Sequence, residues 1–248
     1  MIEKIIEISK KAGKETLKYY NDNVKIEYKD DNSPLTQADL VSHRIIVDFL
    51  EKLTPKIPII SEEGEIPEYN IRKKWMKYWL IDPLDGTKEF IKKNGEYTIN
   101  IALIIDREPV VGVIYVPVTD IFYYGEKNKG SFKIENGETK RIFANKIDEN
   151  SPLTVIESRS HPSKELEKYL QTINVKDRVQ VGSSLKFCLV AEGLADIYPR
   201  LSPTMEWDTG VGDCIYRNAA MGKENYSPII YNKPILKNKN FIIANFVE

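Results

Sequence analysis

Two carboxylates three residues apart follow a short apolar run in this chain: Asp82-Pro83-Leu84-Asp85-Gly86-Thr87 comes directly after Tyr78-Trp79-Leu80-Ile81. The run reads as a buried strand. Pro83 has no N–H with which to continue a ladder, and Gly86 permits an unusual dihedral or a close backbone approach. Thr87-Lys88-Glu89-Phe90 then looks like the first turn of a helix. Two acids at a strand end suit a hard divalent cation. Free N–H groups at a helix start suit phosphate oxygens. Taken alone, the segment reads better as an ordinary turn, because Asp-Pro and Asp-Gly steps form turns and Asp caps helices.

Other acids change that balance. Glu62 and Glu63 follow the apolar run Ile57-Pro58-Ile59-Ile60. Asp208 follows Trp207 at the start of a predicted helix, and Asp39 lies in Thr36-Gln37-Ala38-Asp39 near the start of another. Each one singly reads as a cap or a solvated charge, but four acidic sites at element ends read as a constellation. The metal they would hold must be a hard one. The chain has only two histidines, His43 and His161, and two cysteines, Cys188 and Cys214, with no C-x-x-C. A His/Cys zinc or copper site is hard to assemble from these. Both cysteines sit in apolar stretches and read as buried thiols of a reducing compartment.

The elements that must carry these acids follow from periodicity. Residues 2–20 and 37–53 read as amphipathic helices, the second ended by Pro55 and Pro58. Residues 97–105 and 109–116 read as two long strands joined at Asp106-Arg107-Glu108, with further strands at 121–124 and 131–134. Gly125 to Gly130 has the glycine gap of a phosphate-binding P-loop, but Ser131 replaces the required lysine, so a hairpin turn is expected. The second half alternates: strands at 153–157, 178–181, 196–198 and 241–244, helices at 163–172, 183–194 and 207–221. The polar segment 145–152 is the best boundary between an N-terminal α+β half, 1–145, and a C-terminal α/β half, 146–248.

Bulk properties narrow the partners. The 248 residues carry 36 Lys plus Arg against 37 Asp plus Glu, a formal net charge of -1. No global basic field recruits a nucleic acid polymer. The 42% hydrophobic and 29% charged composition is that of a soluble globular protein. No apolar run approaches the ~18 residues needed to span a bilayer and no signal peptide is evident, so a cytoplasmic location is expected.

Taken together, Ser61-Glu62-Glu63, Asp82 to Thr87 and Trp207-Asp208-Thr209-Gly210 resemble, in order and spacing, the inositol monophosphatase superfamily of metal-dependent, lithium-sensitive phosphatases. The resemblance covers essentially the whole chain. It implies a layered α/β/α/β/α sandwich of mixed α/β class. It implies that Glu62, Asp82, Asp85 and Asp208 are metal-binding carboxylates, that the Leu84 backbone carbonyl is a further ligand, and that Thr87 and Asp39 orient an attacking water. Most of these ligands fall in the N-terminal half, and Asp208 falls in the C-terminal half. The cofactor implied is Mg²⁺, two or three ions, which activate the water and neutralise the leaving oxygen. Inhibition by Li⁺ is implied as well. A homodimer is compatible with the family, but no sequence feature shows one.

Within the superfamily the chain resembles the 3'(2'),5'-bisphosphate nucleotidases. Thr87 is followed by Lys88-Glu89-Phe90, where inositol monophosphatases typically carry Asn before the Phe. Ser158-Arg159-Ser160-His161, Gly182-Ser183-Ser184-Leu185-Lys186, Tyr198-Pro199-Arg200 and Pro203-Thr204-Met205-Glu206 resemble the same group. The substrate contacts implied are Gly86, Thr87, His161, Ser183, Ser184, Lys186 and Arg200. The chemistry agrees, since a substrate with two phosphates needs a second anion site away from the metals. Ser183 and Ser184 offer hydroxyls and N–H groups, and Lys186 and Arg200 offer charge. Individually these would be a helix cap, surface charges and a loop histidine.

The expected activity is hydrolysis of adenosine 3'(2'),5'-bisphosphate to AMP and phosphate, with its 5'-phosphosulfate analogue as a related substrate, in sulfate assimilation or nucleotide recycling. The alternative within the superfamily is a phosphatase of inositol monophosphate or fructose 1,6-bisphosphate. The alternative from another class is a non-catalytic metal or nucleotide sensor, whose signature is a missing ligand or water-orienting residue; here all are present. One departure from the family is Val211, where two small alanines usually precede the glycine, and it is expected either to alter helix packing or to reshape the pocket floor.

Overall fold

Apolar side chains at three- and four-residue spacing give residues 2–20 one buried helical face, and continuous apolar runs give the buried strands. The computed structural model describes residues 1–20, 26–29, 34–148, 150–160, 163–220 and 229–246. In chain order its elements are α1 (Ile2–Tyr20), β1 (Ile26–Tyr28), β2 (Pro34–Thr36), α2 (Gln37–Leu53), β3 (Ile59–Ser61), α3 (Tyr69–Arg72), β4 (Lys77–Asp85), α4 (Thr87–Lys92), β5 (Thr98–Ile105), β6 (Glu108–Val116), β7 (Ile121–Glu126), β8 (Gly130–Glu135) and β9 (Glu138–Ile142). There follow β10 (Leu153–Ser158), α5 (Lys164–Leu170), β11 (Val175–Val181), α6 (Leu185–Ala191), β12 (Ile197–Arg200), β13 (Thr204–Met205), α7 (Glu206–Ala219), β14 (Lys237–Asn238) and β15 (Phe241–Ala244).

Two large sheets organise the chain. Strands β3 to β9 form a seven-stranded sheet in sequence order, antiparallel except for the parallel pair β3–β4. The second sheet has the order β11-β10-β12-β15, with β10 parallel to both neighbours and β15 antiparallel to β12. Along β5, Ile99, Ile101 and Leu103 face one way and pack with Ile5, Ile8, Ile46 and Leu50 of α1 and α2. Ala102 and Ile104 face the other way and pack with Val211 and Ile215 of α7. Phe187 and Val190 of α6, beside α7, cover Ile156, Tyr198 and Ile243 of the second sheet. Leu166 and Leu170 of α5 cover its far side at Leu153, Val155 and Ile197. The layers therefore run helix, sheet, helix, sheet, helix, the arrangement the family resemblance implied.

The finer differences have local causes. The segment 125–130 forms a hairpin, as expected: Gly125 and Glu126 end β7, Gly130 starts β8, and residues 127–129 turn between them. The helix expected over 183–194 is only Leu185–Ala191, because Ser183 takes a left-handed φ of 46° and Gly193 one of 75°. The strand expected at 178–181 runs from Val175, paired in parallel with β10 although most of its side chains are exposed. The last residue of the helix expected over 207–221, Met221, lies outside the described residues.

One difference builds the site. The expected strand end at Ile81 is not an end, for β4 continues to Asp85 through an irregular step. Asp82 pairs with Asn100 and Asp85 pairs with Thr98, so β4 uses three residues where β5 uses two. Side chains alternate along a strand, and residues three apart would ordinarily face opposite ways. The extra residue, at Pro83-Leu84, returns both carboxylates to the face shared by Thr98 and Asn100. That face is the one covered by α7, which carries Asp208.

Candidate active site

A cavity of about 640 Å³ opens where β4, the α7 N-terminus and the segment after β11 converge. It is lined by Glu62, Asp82, Leu84, Asp85, Gly86, Thr87, Ser183, Lys186, Arg200 and Asp208. Ten of the residues singled out in the sequence thus meet in one place. Asp39 stands behind Thr87 and Ser184 behind Asp85, each joined to its neighbour by a hydrogen bond. His161 lies outside the described residues.

The acids occupy one wall. Carboxylate oxygens of Glu62, Asp82 and Asp208 lie within 4.8 Å of one another. Parallel pairing of β3 with β4 sets Ser61 beside Ile81, which brings Glu62 level with Asp82. Asp82 is 2% exposed, and its Oδ1 accepts the Leu84 N–H at 3.1 Å. Asp208 Oδ2 accepts the Met205 N–H at 2.8 Å, so this residue caps α7 and keeps its other oxygen for the cavity. Burial pushes Asp82 well above the usual carboxylate range, and the charges of Glu62, Asp85 and Asp208 push it further. Asp208 is pushed up to about 8 by burial and by Asp85 and Glu62. Burial also raises Asp85, although Lys186 and hydrogen bonds from Ser184 and Asn100 oppose it.

Asp39 is 1% exposed at the start of α2. Its Oδ2 accepts the Thr36 N–H at 2.8 Å and the Thr36 hydroxyl at 2.5 Å, and its Oδ1 accepts the Thr87 hydroxyl at 3.1 Å. Burial raises its pKa, and the bonds from Thr36 and Thr87 lower it only in part. Gly86, at φ 90°, lets the chain turn sharply from β4 into α4, which L side chains rarely do at that dihedral.

The cavity also has a cationic wall, to which Lys186 and Arg200 belong. Lys186 is 6% exposed and its ammonium donates to the Ser183 carbonyl, 5.7 Å from the Tyr198 ring centroid. Burial lowers its pKa to about 8, with Arg200 adding to the effect and Asp85 opposing it. Two buried polar atoms on this wall, Ser183 Oγ and Arg200 Nε, have no hydrogen-bond partner among the described residues. The Ser184 hydroxyl differs. It donates to Asp85 Oδ2 at 2.6 Å.

Comparison with known proteins places this arrangement. The sequence model of the inositol monophosphatase family matches residues 1–224. This chain belongs to the inositol monophosphatase family. A Salmonella typhimurium protein named 3'(2'),5'-bisphosphate nucleotidase CysQ is 48% identical over 217 residues, 87% of this chain and 86% of that one. A Buchnera aphidicola protein of the same name is 42% identical over 248 residues, 99% of this chain and 92% of the relative. The crystal structure of CysQ from Bacteroides thetaiotaomicron, a bacterial member of the inositol monophosphatase family, superposes with a TM-score of 0.84 at 40% identity, covering 100% of this chain and 97% of that one.

The inositol monophosphatase family is metal-dependent, and the acidic wall fits a hard divalent cation. Three carboxylates sharing so small a space, one of them fully buried, are mutually repulsive unless a proton or a cation sits among them. An all-oxygen set is that of Mg²⁺ or Ca²⁺ rather than of a thiophilic metal.

Several supporting residues carried no sequence signal, Glu89 of the Lys88-Glu89-Phe90 segment excepted. Lys29 bridges Glu62 at 2.8 Å and Glu63 at 2.6 Å across 33 and 34 positions of sequence. Asn100 reaches Ser184 and Asp85 from the neighbouring strand. Glu96 takes both guanidinium arms of Arg159 at 2.7 Å and the Gly182 N–H at 2.8 Å, tying together two segments near the cavity. Glu89 accepts the Ser160 hydroxyl at 2.5 Å. Pairings across 15 to 86 positions leave no local pattern to read.

Proposed function

We propose that this member of the inositol monophosphatase family is a Mg²⁺-dependent phosphomonoesterase that removes the 3'(2')-phosphate of adenosine 3'(2'),5'-bisphosphate, releasing AMP and phosphate. The observation that carries the reading is that one cavity holds both an acidic wall for a metal and a cationic wall with unpaired donors. A substrate with two phosphates matches that polarity. The relatives named 3'(2'),5'-bisphosphate nucleotidase, matched over most of the chain, support the same choice.

Glu62, Asp82, Asp85, Asp208 and the Leu84 carbonyl would hold the metal. When bound, Mg²⁺ lowers the pKa of water and neutralises phosphoryl charge. The protein's own groups do the rest. The Thr87 hydroxyl donates its hydrogen bond to Asp39, so the Thr87 oxygen offers lone pairs to the cavity and accepts a hydrogen bond from the attacking water. That turns the water's own lone pair towards phosphorus for in-line attack. Lys186, Arg200 and Ser183 take the second phosphate. Ser183 supports this role by its strain, since a non-glycine residue at φ 46° costs about 1–2 kcal/mol, and such strain collects at functional sites. Gly86 lets substrate approach the backbone, and His161 contributes a nucleotide contact. Residues 1–145 supply most of the metal wall and 146–248 the substrate wall. Millimolar Li⁺ inhibits turnover. The protein acts in the cytoplasm; no helix among the described residues is long and apolar enough to cross a membrane.

The test is phosphate release from adenosine 3',5'-bisphosphate with and without Mg²⁺, for wild type and Asp85→Asn. Fast Mg²⁺-dependent release that the variant loses supports the reading. Release from inositol 1-phosphate or fructose 1,6-bisphosphate in preference to the nucleotide overturns the substrate assignment. No release from any of the three overturns the catalytic one.

A further inference from the structure

Asp85 does not stand alone behind its cavity. Its Oδ2 accepts the Ser184 hydroxyl at 2.6 Å and the Asn100 amide at 3.3 Å, while its Oδ1 receives no hydrogen bond from the described residues. Asn100 Nδ2 also donates to Ser184 Oγ at 2.8 Å. A hydroxyl has one proton to give. Two acceptors compete for it, Asp85 Oδ2 at 2.6 Å and the Asp208 carbonyl at 3.1 Å. The nearer, charged acceptor wins, because bonds to an ionised oxygen are shorter and about twice as strong. The Asn100 amide can point only one way, since a flip would set its carbonyl oxygen against the Asp85 carboxylate. The three groups therefore form a directed chain, amide to hydroxyl to carboxylate. Ser184 and Asn100 are 2% and 0% exposed, so the chain is shielded from competing water.

We infer that Ser184, with Asn100 behind it, is a positioning residue for the metal site: it pins one oxygen of Asp85 so that the other faces the cation. The inference rests on the metal-site reading given above. It assigns the Ser184 hydroxyl to the metal side of the cavity, although its neighbour Ser183 faces the substrate. Two consecutive serines thus divide the work, and the turn that carries the substrate contacts is fastened to a metal ligand. Partners that orient a ligand's second atom affect metal affinity about 10- to 100-fold.

The experiment compares wild type with Ser184→Ala and Asn100→Ala in two measurements. One is the Mg²⁺ concentration giving half-maximal phosphate release, with the substrate KM measured separately at saturating Mg²⁺. The other needs no turnover and is the rise of the thermal midpoint with added Mg²⁺ in the absence of substrate. Ser184→Ala is expected to raise the half-saturating Mg²⁺ at least about tenfold, with KM changed less than about twofold, and to shift the midpoint titration to correspondingly higher Mg²⁺. Asn100→Ala is expected to act in the same direction by about threefold, because the hydroxyl remains. It carries the test if the serine variant does not fold. A raised KM with wild-type Mg²⁺ dependence in both measurements overturns the inference and makes Ser184 a substrate contact. A wild-type protein whose midpoint ignores Mg²⁺ and which releases no phosphate overturns the metal-site reading, and the inference with it.

Discussion

Thr87 Oγ1 donates to Asp39 Oδ1 across 3.1 Å, joining the first turn of α4 to the first turn of α2 over 48 positions of sequence. The direction of that bond decides what the threonine can do. With its proton engaged, its oxygen is an acceptor towards the cavity. Asp39 cannot rotate away, because Thr36 holds its other oxygen through both an N–H and a hydroxyl.

Asp39→Asn and Thr87→Ala are therefore expected to lower kcat by about 10²–10⁴ while leaving KM nearly unchanged, since both act on the water rather than on the bound nucleotide. Steady-state kinetics at saturating Mg²⁺ check this. Asp39 also predicts a pH effect. Burial raises its pKa, so the charged form that accepts the Thr87 proton is lost at a higher pH than for an ordinary carboxylate. The acid limb of kcat should lie above the usual Asp range. A KM effect that outweighs the kcat effect would refute the water-orienting role.

Lys186 predicts the opposite side of the pH profile. Its pKa sits at about 8, held down chiefly by burial. A lowered lysine is charged below that value and neutral above it, so the attraction for a second phosphate fades as pH rises through about 8. KM for adenosine 3',5'-bisphosphate should rise over that range, and KM for a substrate with a single phosphate should not. Lys186→Met should raise the bisphosphate KM by about tenfold or more, the cost of one charge-assisted hydrogen bond, and flatten its pH dependence. Parallel behaviour of the two substrates would remove Lys186 from the second anion site.

What was legible in the sequence was what lies close together in it. Asp82 and Asp85 share one strand end, Glu62 ends another, and Asp208 starts a helix, so type and spacing announce them. The elements α1, α2 and β4 to β8 were legible from their periods, and their layering from the family resemblance. The bulge at Pro83-Leu84 was half legible: the proline signalled a break in the ladder, but only the pairing with Asn100 and Thr98 shows both acids returned to one face. Lys29, Asn100 and Glu96 were not legible, because a lone Lys, Asn or Glu gains its meaning from partners brought together by the tertiary fold. The two serines at 183 and 184 were read alike and differ only through what each touches.

Glu96 offers a test of that hidden layer. Burial would raise its pKa, but the Arg159 fork and the Gly182 N–H outweigh this and hold it below the usual range. Its role is to clamp the loop after β10 to the turn that carries Ser183. Glu96→Gln keeps the shape and weakens both bonds. It should raise the nucleotide KM by about 3- to 10-fold, with the half-saturating Mg²⁺ unchanged, because none of its partners is a metal ligand. A shifted Mg²⁺ dependence would show that the clamp reaches the acidic wall.

Val211, the departure from the family's small residues, is 1% exposed and packs with Leu80, Ala102 and Ile114 rather than lining the cavity. Room for it comes from Gly112 on β6: a Cβ there would stand 3.1 Å from Val211 Cγ1 and 3.0 Å from Cys214 Cβ. Val211→Ala should therefore cost about 2–3 kcal/mol of stability through a buried void. The ratio of turnover on adenosine 3',5'-bisphosphate to that on inositol 1-phosphate should stay within about twofold of wild type, since a residue outside the cavity has no contact with which to discriminate between them. Gly112→Ala should cost about 1–3 kcal/mol through overpacking. Made together, the two changes should cost less than their sum by about 0.5–1 kcal/mol, because the new methyl group enters the space that the valine leaves. Denaturant unfolding of the four proteins measures that coupling. Strict additivity would mean that the two side chains do not share a site, and a changed substrate ratio would put Val211 back at the pocket floor.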